Sequence, residues 1–136
     1  MCLDQGESIM IEPRLYIIMR EDIPDMNPGK GMAQAAHAQA DMIEYMNTLE
    51  DYGVSEMVKL WREDRSFGTT TVLSAELVDI QEICDTIEHS GMTVDPTYPW
   101  RNFYGMPFAT KEVTAAWAFV FEPKEREWMQ RFNLHE

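Results

Sequence analysis

The chain has 136 residues, 24 of them acidic and 11 basic, with a net charge of -13 and a pI near 4.5. That length suits one domain, and 45% apolar residues is ordinary for a folded protein. No apolar run is long enough to cross a membrane, and the acidic balance opposes broad contact with nucleic-acid phosphates.

In chain order, residues 1–13 are polar and acidic without a period and are expected to form a flexible arm, with neither signal peptide nor anchor. Residues 14–136 are expected to form the single domain. Leu15 to Met19 is a short apolar run, the mark of a strand buried on both faces, ended by Arg20-Glu21-Asp22-Ile23-Pro24. A helix is expected from Lys30 to Asp51, ending near Gly53, with a second helical piece from Val54 to Trp61. The β-branched stretch Thr69 to Ala75 predicts a strand, and Leu77 to Ser90 a helix closed by Gly91. Met92 to Val94 is a short strand, and Asp95 to Pro107 is a loop with three prolines and four aromatics. Val113 to Phe121 is a strong strand, followed by an amphipathic helix from Lys124 to Phe132. This alternation predicts an α/β three-layer sandwich: a mixed, mostly parallel four-stranded sheet with helices on both faces.

In such a sheet, ligands sit beyond the carboxyl ends of strands, so the connection leaving the first strand is the place to look. There Lys30, Gln34, His37 and Asp41 fall within roughly 60° of one another around the helix. Met32, Ala33, Ala36, Ala40 and Ile43 fall on another face, the expected buried one. A lysine at a helix start opposes the partial positive charge there, which suits it to an anion or a polarised oxygen rather than to stability. His37 carries an imidazole fit for general-base work, and Asp41, one turn on, is placed to orient it; a packed structural histidine is the alternative. Gln34 is suited either to orienting water or a sugar or to capping a local network. Asp22 is close enough in sequence to the turn to orient Lys30 or a water, whereas a loop-fixing ion pair is the expectation for Arg20. Cys2 and Cys84 are expected to be reduced thiols in a cytoplasmic protein, and no histidine has metal-ligand spacing. The aromatic loop (Tyr98, Trp100, Phe103, Tyr104) is suited to stacking bases of a single-stranded end, to docking a protein partner, or to covering the core.

The sequence Arg20-x-Asp22-Ile23, then Gly29-Lys30-x-x-Ala33-Gln34-x-x-His37-Ala38, resembles the archaeal and eukaryotic-type peptidyl-tRNA hydrolase family. That family has an R-x-D-L strand end and a G-K-x-x-A-Q-x-x-H-A helix start. Trp61, Gly91-Met92-Thr93-Val94 and Pro123 extend the similarity to the carboxyl end. The resemblance implies a small α/β domain, usually dimeric, that hydrolyses the ester between peptide and terminal ribose of tRNA without metal or cofactor. It implies catalytic roles for Lys30, His37, Asp22 and Gln34, and substrate contacts from Arg20, Gly29 and Gly31 at the acceptor end of tRNA. The family's D-A-G-R-T-Q and P-G-T segments have no equivalent in register, which leaves Asp95, Thr110 and Thr114 as displaced candidates for substrate binding. Pro28 stands where the family carries a second lysine. Three functions remain open: a peptidyl-tRNA or aminoacyl esterase, a non-catalytic relative binding a protein partner through loop 95–107, and an esterase for a small anionic substrate.

Overall fold

The computed structural model describes residues 12–23, 26, 28–63, 68–101 and 104–134. Most of the expected flexible arm, residues 1–11, lies outside them, as does Cys2. The elements are β1 (Arg14–Arg20), α1 (Pro28–Thr48), α2 (Tyr52–Glu63), β2 (Thr70–Ala75), α3 (Leu77–Thr86), β3 (Ser90–Arg101), β4 (Pro107–Val120), α4 (Pro123–Met129) and β5 (Asn133–Leu134).

The sheet order is β3-β4-β1-β2-β5. Strict alternation along β1 sends Leu15, Ile17 and Met19 to one core and Tyr16 and Ile18 to the other. The first core is closed by Ala38, Met42 and Met46 of α1 and by Val54 and Trp61 of α2. The second is closed by Ile80 and Ile83 of α3 and by Met129 of α4. Helices therefore cover both faces of a mixed sheet, as an α/β sandwich requires.

Strand direction departs from the expectation. β1 and β2 are parallel, joined through α1 and α2, but β1–β4, β3–β4 and β2–β5 are all antiparallel. A second crossover, through α3, leaves β3 running in the same direction as β1 and β2. However, β4 lies between β3 and β1 and runs against both, so β1–β2 is the one parallel pair among the described strands. The segment 95–107, expected as a loop, instead gives residues 95–101 to β3 and Pro107 to the start of β4, while Phe103 lies outside the described residues. Its prolines misled: β3 is an edge strand, where a missing N–H facing outward breaks no ladder bond. Pro96 and Thr97 sit in a register shift between Asp95 and Tyr98, and Pro99 pairs with Ala109.

α1 also packs on a different face from the one expected. Its buried stripe is Gln34, Ala38, Met42 and Met46, four residues apart, while Met32, Ala33, Ala36 and Ala40 are exposed. Methionine removes more apolar surface from water than alanine, so the Met42–Met46 row outweighs the alanine row. The result brings Gln34 inward beside the sheet.

Trp61, fully buried, ties α2 to the start of β2 by donating its indole N–H to the Thr69 carbonyl at 2.8 Å. Gly68 makes this possible. Its φ is +89°, and a Cβ there would lie 2.4 Å from the indole ring. Gly68→Ala is expected to cost roughly 1–3 kcal/mol through backbone strain and overpacking, read as a lower denaturant midpoint with an unchanged slope.

Candidate active site

β4 is longer than its neighbour. Residues 115–120 pair with β1, whereas residues 107–113 pair with β3 alone. The hairpin therefore projects past the carboxyl end of β1 and forms an arm beside the amino-terminal turns of α1. This is where ligands meet sheets of this kind.

A bulge makes the junction. Thr93 pairs with Ala115 and Val94 with Val113, so Thr114 is the extra residue on β4. Ala115 packs into the α1-side core and Val113 against the α3-side core. The bulge reverses alternation at this point and aims Thr114 at α1 rather than away from it. The fully buried Thr114 hydroxyl donates to the Gln34 amide oxygen, and the Gln34 amide nitrogen donates to Asp95 Oδ2 at 2.9 Å. Asp95 Oδ1 accepts the Thr97 backbone N–H at 2.9 Å, an Asx turn closed across Pro96.

Partial burial pushes the Asp95 pKa up, but the Thr97 N–H, the Gln34 amide and the nearby His37 outweigh it. The carboxyl is held below its ordinary 3.8. His37, one turn beyond Gln34 and exposed, thus stands within electrostatic reach of Asp95. Its expected partner Asp41 is not hydrogen-bonded to it among the described residues. At the start of the helix, the Lys30 ammonium lies 5.4 Å from the centroid of the Tyr98 ring, which is buried beneath it. Gly29 and Gly31 flank Lys30 in the first turn, which holds no acidic side chain and whose N–H groups lack intrahelical partners.

The remaining candidates separate. Asp22, suited by sequence to Lys30 or a water, uses Oδ1 on Arg20 Nε at 2.8 Å and on the Leu77 N–H at 3.2 Å, pinning α3 to the end of β1. Burial raises its pKa, and the Arg20 and Leu77 hydrogen bonds more than reverse that. Arg20 also donates to the Val113 carbonyl at 3.0 Å and approaches Glu112 at 3.6 Å. Thr110 accepts the Trp100 indole N–H and donates to Glu112 at 2.8 Å, so it stands in the arm and apart from Gln34. The chain Trp100–Thr110–Glu112–Arg20 braces the arm against β1. Lys30, Gln34, His37, Asp95 and Thr114 are brought together; Asp22, Arg20 and Thr110 support the frame around them. Thr97 and Glu112 belong to the arrangement although the sequence marked neither, and Tyr98, marked there only as part of the aromatic loop, lies under Lys30. The Asp-Pro-Thr turn was the one local signal for Thr97.

Asp22 and Asp95 release protons more readily in the folded chain than in an unfolded one. Their contribution to stability is complete above about pH 3.8 and is lost as pH falls through their lower folded values. Thermal melts are expected to fall between pH 5 and pH 3, and the Asp22→Asn/Asp95→Asn double variant to fall less steeply.

Among the described residues no cluster of His, Cys, Asp and Glu is arranged to hold a metal, and no helix is long and apolar enough to cross a membrane. Cys84 is a free thiol whose pKa is raised by burial. Comparison with curated proteins gives no match. The family model of peptidyl-tRNA hydrolase PTH2 matches residues 14–99, from the start of β1 to the arm. Since that match takes in more than half of the chain, including α1 and Asp95, the protein belongs to the peptidyl-tRNA hydrolase PTH2 family.

Proposed function

We propose that the chain hydrolyses the ester joining a peptide, or a related aminoacyl group, to the terminal ribose of tRNA. The observation that carries this reading is the meeting of Lys30, Gln34, His37, Asp95 and Thr114 at the carboxyl end of β1 in a member of this family. In the reaction, water attacks the ester carbonyl. Lys30 and the N–H groups of Gly29 and Gly31 stabilise the oxyanion that develops. His37 accepts the proton from water, and the ionised Asp95 stabilises the imidazolium that results. The proton then passes to the departing ribose oxygen. Gln34 touches no reacting atom in this scheme; with Thr114 it fixes the Asp95 carboxylate and keeps its charge.

The test is release of peptide from peptidyl-tRNA by purified protein at low salt. Turnover above a buffer control is expected. Absence of release would refute the hydrolase reading.

A further inference from the structure

The arm carries a row of rings that starts at Lys30 and becomes more exposed outward. Tyr98 lies under Lys30 and meets Trp100 edge-on at 5.6 Å. Trp100 stacks on Phe108 at 6.2 Å and 15°. Tyr98 is 0% exposed, Phe108 44% and Tyr104 85%, and Met106 in the same stretch of chain is 61% exposed. Rings needed only to cover a core would be buried like Tyr98; the outer ones leave their surface in water.

Charge separates the arm from the rest of the chain. In a protein with 24 acidic residues, positions 96–111 contain no acidic residue at all, and their two charges are Arg101 and Lys111. The two carboxylates that bound the stretch are committed, Asp95 to Thr97 and Gln34, and Glu112 to Thr110 and Arg20. Elsewhere acidic side chains dominate, as on α3 with Glu76 before it and Asp79, Glu82 and Asp85 along it. A duplex laid broadly on this molecule meets repulsion. A short unpaired strand laid along the arm meets aromatic faces, with no acidic residue in the stretch between Asp95 and Glu112 to repel it.

We propose that the β3–β4 arm binds the unpaired 3′-terminal nucleotides of an RNA strand, bases stacked on Phe108, Tyr104 and the open part of Trp100, with the terminal ester delivered to Lys30. This rests on the hydrolase reading for the identity of that ester. It also resolves how a chain of net charge -13 handles a polyanion: contact is confined to a few nucleotides.

The experiment titrates the full chain with a single-stranded tetraribonucleotide, a blunt RNA duplex and an apolar peptide. The tetranucleotide is expected to bind with a shallow salt dependence, a log–log slope of about -1 to -2, because few phosphates are neutralised. Phe108→Ala and Tyr104→Ala are each expected to weaken it by roughly five- to 150-fold, and Lys111→Glu to weaken it further at low salt. Both aromatic positions are exposed, and matching thermal melts verify that the variants fold. Unchanged tetranucleotide affinity in both aromatic variants overturns the proposal, as does tighter capture of the peptide or the duplex. Because binding is read without turnover, a protein that holds the tetranucleotide but cleaves no peptidyl-tRNA defeats the hydrolase reading and leaves the arm's role standing.

Discussion

Lys30→Ala is expected to lower the rate of peptide release by about 10²–10³-fold, the usual loss when one oxyanion-stabilising group is removed. The lysine sits in the first turn of α1, where the helix itself opposes a positive charge. Its place is stabilised instead by the face of Tyr98, 5.4 Å away. Removing the ammonium relieves repulsion at the helix end and forfeits one cation–π contact, two effects of about 0.5–1 kcal/mol with opposite sign. The variant is therefore expected to melt close to the parent while losing activity. Lys30→Arg separates charge from geometry: guanidinium restores the charge but is broader and planar, so partial recovery is expected. Single-turnover release of peptide, with thermal melts of the same samples, is the measurement. A Lys30→Ala protein that turns over at the parent rate would remove Lys30 from the mechanism.

Much of the frame could be read from local pattern because its causes are local. The apolar run Leu15 to Met19 became a strand buried on both faces, and the helical pieces after it became the crossover to β2. The α1 motif pointed to Lys30, Gln34 and His37 before any partner was known. What escaped was set by pairing. Alanine and methionine rows on α1 have the same helical spacing, and only the depth of the sheet beneath selects Met42 and Met46 over Ala36 and Ala40. Pro96 and Pro99 stop a central strand but not an edge, and edge position depends on the order of the whole sheet. The bulge at Thr114 exists only relative to β3, so no stretch of β4 by itself announces that this threonine turns toward α1. Gln34 bonds partners 61 and 80 residues away, a separation at which periodicity carries no information.

Those two bonds make Asp95→Asn the sharper test of the chemistry. The substitution keeps the side chain's shape and removes its charge. One amide oxygen still accepts the Thr97 N–H, which leaves the new NH₂ group facing Gln34. Gln34 can then turn its own amide over, accept from that NH₂, and donate to the Thr114 hydroxyl, which accepts as readily as it donates. Every buried group keeps a partner, so the fold is expected to lose only about 1 kcal/mol, the difference between a hydrogen bond to a charged group and one to a neutral group. The imidazolium formed on His37 during water attack loses its counter-charge, and peptide release is expected to fall about 10²–10⁴-fold, the range ascribed to general-base assistance. Thr114→Val is expected to reverse the emphasis. It leaves the Gln34 amide oxygen buried without a donor, costing about 1–3 kcal/mol of stability, while Asp95 keeps its charge. Chemical denaturation and single-turnover release measured on both variants separate the two roles. If Asp95→Asn releases peptide at the parent rate, the carboxylate is a brace for the arm, and proton transfer must be assigned to another group.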